Sequence, residues 1–352
     1  MKKFLSLALV LLMIVPVLAA CGGNTGGGQQ QNVTLNVLNW GDYIEDSLVA
    51  TFEDEYPWIK VNYQDVPNNE EMMVMLDSGG YDVAFPSDYI IERLIANDSL
   101  AKIDTSKLEN FDEIMDFCKD QSFDPGNQYS VPYMWGTLGI LYNTTMVDET
   151  VDSWEILWDE AYEKQIFMYD SIRDSIAVAL MKNGYEINTR DEAALSAAEA
   201  DLVAQKPLVL AYVGDEVKDK MIGNNAALAV VYSGDAAYCI MENEELSYAI
   251  PKEGSNLWFD NMVIMKDTEN YDAAMLFIDF LCRPDIALIN TNYIGYTTPV
   301  QQSFDEADEI LRNNPAYNPS EEALERCEIF HDLGDFIDRY NDIWMKVKAT
   351  RG

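Results

Sequence analysis

From residue 34 onward, stretches with strand-like and helix-like spacing of apolar positions alternate along the chain. Residues 34–38 and 59–66 read as strands, 44–55 and 70–76 as amphipathic helices, and the short apolar run 82–85 as a buried strand. Such alternation predicts an α/β fold with a mostly parallel sheet covered by helices on both faces. Ligands of open α/β sheets sit beyond the carboxyl ends of the strands. That rule singles out Asn39-Trp40-Gly41-Asp42-Tyr43 and Pro86-Ser87-Asp88-Tyr89, each an aromatic and acidic cluster at a strand-to-helix turn.

Further along, 131–137 reads as a strand with a turn that leads to 140–143, a crossing into a second lobe. That lobe is expected to run through helices around Trp154 and over 176–182, and a strand over 227–232. Near Trp258 the chain returns: 262–265 is strand-like, and a helical run over 273–281 is stopped by Arg283-Pro284. The tail, 321–348, is helical in pattern. Two lobes linked by more than one crossing leave a cleft that can hinge shut on a ligand.

The N-terminus has a different character. Lys2 and Lys3 precede an apolar run over 4–17 and the sequence Leu18-Ala19-Ala20-Cys21, the layout of a secretory signal ending in a lipobox. This start resembles those of bacterial lipoproteins, which implies cleavage after 1–20, a lipid on Cys21 and a mature chain outside the cytoplasmic membrane. Residues 21–32 are rich in glycine and glutamine and read as a tether, spanning about 18 Å on average. No later segment is long and apolar enough to cross a bilayer.

With 352 residues, 48% of them hydrophobic, the chain can bury a sizeable core, and its length suggests two domains. A net charge of −38 argues against nucleic acid as a partner and suits capture of cations, although many exported proteins are acidic for solubility alone. Cys118, Cys239, Cys282 and Cys327 form no C-x-x-C pair, which disfavours a zinc or redox site. They are read as small buried hydrophobes, with disulfides in any of three connectivities left open. His331 is the only histidine and is expected on a helix surface.

Collecting aromatic and acidic residues at predicted element ends gives Trp40, Asp42, Tyr43, Ser87, Tyr89, Asp170, Asp174, Tyr232, Asp235, Trp258 and Asp260. Aromatic faces attract ammonium groups, and carboxylates accept charge-assisted hydrogen bonds from them. Together they describe a site for an organic cation, with no cofactor or metal required. Taken singly, each has a plainer role: Trp40 and Trp258 as core, Asp42, Ser87 and Asp170 as helix caps. A receptor for another cation or a metal, an exported glycoside hydrolase built on two carboxylates, and a structural lipoprotein stay open on residue types alone.

The stretches Asn39-Trp40-Gly41-Asp42-Tyr43, Tyr81-Asp82-Val83-Ala84-Phe85-Pro86-Ser87-Asp88-Tyr89, Val131-Pro132-Tyr133-Met134-Trp135-Gly136-Thr137, Trp258-Phe259-Asp260 and Ile294-Gly295-Tyr296-Thr297-Thr298-Pro299 resemble, in order, motifs of bacterial spermidine/putrescine-binding proteins. These are extracytoplasmic receptors of polyamine ABC transporters. The resemblance implies a two-lobed periplasmic-binding-protein fold (type II), each lobe a mixed sheet flanked by helices with the ligand cleft between them, lobe 1 over 33–138 and 258–305 and lobe 2 over 139–257 and 306–352. It implies a binding protein rather than an enzyme, one that delivers putrescine or spermidine to a membrane permease.

In that family's pattern Trp40, Tyr43, Ser87 and Tyr89 face Asp174 and Tyr232, while Trp258 and Asp260 wall the slot and hold an amine. Asp42 and Asp235 match acids of putrescine-preferring members. Tyr232 stands where tryptophan is usual, Gly41 replaces a hydroxyl residue, and Phe330 or His331 falls where some members carry a glutamine. The choice between the two amines is left open.

Overall fold

The computed structural model describes residues 32–350, so the leader over 1–20, Cys21 and nearly all of the tether lie outside the described residues. The first part of the chain runs β1 (Val33–Trp40), α1 (Asp46–Glu55), β2 (Ile59–Val66), α2 (Asn69–Ser78), β3 (Val83–Ala84) and α3 (Asp88–Ala96). Then follow β4 (Ser130–Asn143), β5 (Ile166–Tyr169), α4 (Ile172–Lys182), α5 (Glu192–Gln205), β6 (Val209–Val213), α6 (Val217–Ile222), β7 (Leu228–Tyr232), α7 (Ser233–Glu242), β8 (Leu246–Ala249) and β9 (Leu257–Ile264). The remainder is helical: α8 (Tyr271–Leu281), α9 (Pro284–Ile294), α10 (Gln301–Glu306), α11 (Glu309–Arg312), α12 (Glu321–Leu324) and α13 (Ile337–Ala349).

Strand order is β2-β1-β3-β9-β4-β7-β5-β6, with β8 also on β4. Pairs within each half (β1 with β2 and β3, β5 with β6 and β7) are parallel, as strand–helix–strand units require. Every pair made by β4 or β9 is antiparallel. The sheet is therefore mixed, as the family resemblance implies, and not mostly parallel as the alternation alone suggests, because the two strands that carry the chain between halves run against their neighbours.

The expected turn inside 131–137 is absent: β4 is one strand, with a register shift between Pro132 and Met134. Its glycines serve close approach instead. A Cβ on Gly136 would lie 2.3 Å from Ser233 Oγ and 2.5 Å from Trp258 Cζ2, and one on Gly139 would lie 2.3 Å from the Tyr248 ring. Residues 130–137 of β4 pair with β9, and the strand then continues to β7 and β8.

Burial follows the same division. Val131, Met134 and Trp135 join a core built on Leu35, Phe52, Phe85 and Phe277. Leu138 and Ile140 face a second core with Trp154 and Val230, whereas Leu141 turns to a third with Val231 and Tyr317 on the opposite face. A fourth packs Ile176 and Leu195 against Tyr340 and Trp344 of α13. The fold is thus two α/β lobes sharing one long strand.

Other expectations change locally. The turn at Trp154–Trp158 is a 3-10 helix, and Pro284 opens α9 at its first turn as well as following α8. The expected tail helix is broken between α12 and α13, because Glu328 is drawn into backbone bonds with Ser255 and Leu257 and Gly334 adopts φ +53°. His331 consequently lies in this connecting segment, not on a helix, with Nδ1 2.6 Å from Glu92 Oε1. Cys118, Cys239 and Cys282 are buried free thiols and Cys327 is a half-buried one.

Candidate functional site

Three strand ends, at Trp40, Tyr169 and Tyr232, and the crossing strand β9 bring most of the expected residues together. Tyr43, beyond β1, is buried; its hydroxyl donates to Asp260 Oδ2 at 2.9 Å, and its carbonyl accepts from Tyr133 Oη at 2.6 Å. Ser87 occupies the N-cap position of α3 but makes no capping bond; its hydroxyl donates instead to Asp260 Oδ1 at 2.7 Å. The capping role does not account for this serine. Asp260 thus accepts from two elements of the first lobe while sitting on β9.

A second arrangement of the same kind lies across the sheet. Ser171 caps α4: its oxygen accepts from the Asp174 amide at 3.3 Å and its hydroxyl donates to Asp174 Oδ2 at 2.6 Å. Tyr232 donates to the same oxygen at 2.7 Å, while Asp174 Oδ1 is buried without a hydrogen-bond partner. Ser171→Ala is expected to destabilise the protein by about 1 kcal/mol in urea unfolding, the usual worth of an N-cap hydroxyl; no change would mean that the cap contributes nothing.

A third pair was not expected. Tyr296, after α9, donates to Asp235 Oδ1 at 3.0 Å. Its ring packs against Gly234, where a Cβ would lie 2.2 Å from it, so α7 can approach only because residue 234 is glycine. The rings of Tyr43, Tyr296, Trp258, Tyr232 and Tyr169 form a continuous belt, with successive centroids 5.0, 5.7, 5.9 and 4.8 Å apart. The Trp258 indole N–H is buried and unpartnered. Three tyrosines of the belt each donate to a buried aspartate.

Burial pushes the Asp260 carboxyl up to about 6, although the Ser87 and Tyr43 hydroxyls oppose the shift. Burial likewise lifts Asp235 to about 6 against the pull of Lys218, and it raises Asp174 despite its hydroxyl donors. Asp174 and Asp260 have lost water without gaining an ion-pair partner among the described residues, which favours an incoming cation, whereas Asp235 lies 3.9 Å from Lys218 Nζ.

The remaining expected residues are scattered around this belt. Trp40 ends β1 half-buried with its indole N–H unpartnered. Asp42 is exposed, has φ +50° and lies 3.7 Å from Lys218 Nζ, so it does not cap α1, whose N-cap is Glu45. Tyr89 packs edge-on to Phe330 and under the Arg173 guanidinium, beside a cavity of about 220 Å³. A second cavity, of about 450 Å³, is lined by Asp42, Asp215, Lys218, Asp219, Tyr238 and Tyr296.

Asp170 is exposed and paired with Lys348 at 2.6 Å, and Ser171 rather than Asp170 takes the capping position of the helix that carries Asp174. Three residues outside the expected set adjoin it: Tyr169 packs on Tyr232, Lys218 lies between Asp42 and Asp235, and Arg173 covers the Tyr89 ring. Tyr296 lay within a motif already noticed, and only its spacing after Gly295 could have marked it. Among the described residues no cluster of three or more His, Cys, Asp or Glu side chains is arranged to hold a metal ion.

A family model for bacterial extracellular solute-binding proteins matches residues 47–319. The spermidine/putrescine-binding periplasmic protein of Salmonella typhimurium is 32% identical over 94% of this chain and 95% of its own length. Two solved structures are similar throughout. A putative spermidine/putrescine ABC transporter protein from Listeria monocytogenes is 42% identical with a TM-score of 0.86, covering 90% of this chain and 99% of that one. The spermidine/putrescine ABC transporter substrate-binding protein PotD of Streptococcus pneumoniae is 39% identical with a TM-score of 0.80, covering 91% and 99%.

Proposed function

We propose a function from one premise: the chain belongs to the family of bacterial extracellular solute-binding proteins. It is a polyamine receptor, which captures putrescine or spermidine and delivers it to the permease of an ABC transporter. Its family is one of binding proteins rather than enzymes, and binding and release without chemistry is the activity proposed here.

One observation carries the assignment of the site: an aromatic belt edged by three buried aspartates, each already hydrogen-bonded by a tyrosine. Ammonium groups of a polyamine replace lost water at the carboxylates, and the rings cover the methylenes between them. Each buried methylene contributes about 0.8 kcal/mol, so the spacer of putrescine supplies about 3 kcal/mol before ordering costs. Trp40, Tyr43, Ser87, Tyr89, Trp258 and Asp260 are proposed as the wall from lobe 1 (33–138 and 258–305). Asp174, Tyr232 and Asp235 are proposed as the wall from lobe 2 (139–257 and 306–352). The comparisons favour neither a receptor for another cation or a metal nor a glycoside hydrolase.

Titration calorimetry with putrescine and spermidine tests this directly. Saturable binding of at least one is expected, and a folded protein that binds neither refutes it.

The location is extracytoplasmic, with Cys21 proposed as the lipid-bearing residue that keeps the receptor near its permease. No helix among the described residues is long and apolar enough to cross a membrane. Cys21→Ala is expected to release the protein from the membrane fraction without altering polyamine affinity; retention in that fraction would exclude this anchor.

A further inference from the structure

The three tyrosine–aspartate pairs are not equivalent in charge. Among the described residues neither Asp174 nor Asp260 has a Lys, Arg or His side chain within ion-pair distance, whereas Asp235 Oδ1 lies 3.9 Å from Lys218 Nζ. The same ammonium lies 3.7 Å from Asp42 Oδ2, so one lysine of α6 faces an acid from each lobe. Its side chain is only 22% exposed, and the cavity beside it is lined also by Asp215, Asp219 and Tyr296.

We propose that Lys218 is a built-in cation that fills the third carboxylate position, so that the slot presents two free acids, Asp174 and Asp260, and selects a diamine over a triamine. This rests on the polyamine reading above and deepens it to a substrate class. A ligand with two ammonium groups satisfies both unpaired carboxylates. A third ammonium must either sit beside a like charge or displace Lys218 toward Asp215 and Asp219. Displacement is possible because those acids line the same cavity, so the discrimination is finite.

Two further observations agree. Burial alone would weaken protonation of Lys218, yet Asp235, Asp42 and Asp215 outweigh it and raise the pKa above that of an ordinary lysine. The side-chain donors to Asp174 and Asp260 are, by contrast, hydroxyls, from Ser171, Tyr232, Tyr43 and Ser87, which bring no charge to oppose an incoming ammonium.

The test is calorimetry with putrescine and spermidine on the full chain and on Lys218→Met, which removes the charge and keeps the apolar stem. The wild-type protein is expected to favour putrescine. In Lys218→Met the ratio of spermidine to putrescine affinity should rise at least tenfold, and adding Asp235→Asn should abolish that rise. Lys218→Gln should reproduce the shift and serves if the methionine variant melts early. A wild-type chain that binds putrescine, with a ratio unmoved in both lysine variants, overturns this inference alone. A wild-type chain that binds neither amine overturns the polyamine reading with it.

Discussion

Asp260→Asn weakens putrescine binding at least hundredfold in titration calorimetry while leaving the ligand-free protein as stable as before or more so. Asparagine keeps the shape of the side chain, and the hydroxyls of Tyr43 and Ser87 can rotate to serve it, so the contacts between β9, the turn after β1 and the start of α3 survive. What disappears is the buried charge. Removing one partner of a buried ion pair costs about 2–5 kcal/mol, and a hundredfold change in affinity is about 2.7 kcal/mol. The unliganded protein, by contrast, no longer holds an unpaired carboxylate at 7% exposure. Affinity within threefold of wild type would remove Asp260 from the ammonium site.

The second large effect is a pair of opposite pH dependences. Asp260 and Asp235 titrate near 6 in the folded protein, above the ordinary carboxyl value of 3.8. In the unfolded chain they ionise first, so the folded state holds extra protons between about pH 4 and 6. The stability this provides is fully present below the unfolded value and is lost as pH rises through about 6, at most about 3 kcal/mol for each acid. Ligand-free protein should therefore melt higher at pH 5 than at pH 7.5. Binding has the reverse sign, because an ammonium ligand needs the ionised carboxylate. Putrescine affinity should fall at least tenfold from pH 7.5 to pH 5, with proton uptake by the protein on ligand release. A flat affinity profile over this range, or a melting temperature that falls on acidification, would contradict the assignment.

The strands and helices around the first lobe were legible because period and turn residues are local properties. The strand over 59–66 was read with its observed bounds, and the helix over 70–76 lies inside α2. The errors share one cause. The stretch around Pro132 and Gly136 looks like a turn in sequence, and only the packing of Trp258 and Ser233 against β4 reveals that Gly136 marks close approach within a strand. Asp170 and Asp174 look alike in composition, yet one capping serine between them sends the first to Lys348 and the second into the belt.

By itself, the sequence determined the inventory: alternating elements, and aromatic residues next to acids at the strand ends, sufficient to recognise the family. Which acid meets which tyrosine was decided only in three dimensions. Tyr43 and Asp260 are 217 residues apart in the chain, and Tyr296 and Asp235 are 61 apart. No periodicity encodes such pairings, because they are made where β9 runs antiparallel between β3 and β4 and where α7 starts at the end of β7. Lys218 shows the same limit. In the sequence it is one lysine among many acids; in the fold it stands between Asp42 and Asp235, because the separation of charges depends on the path of the whole chain while propensity depends only on near neighbours.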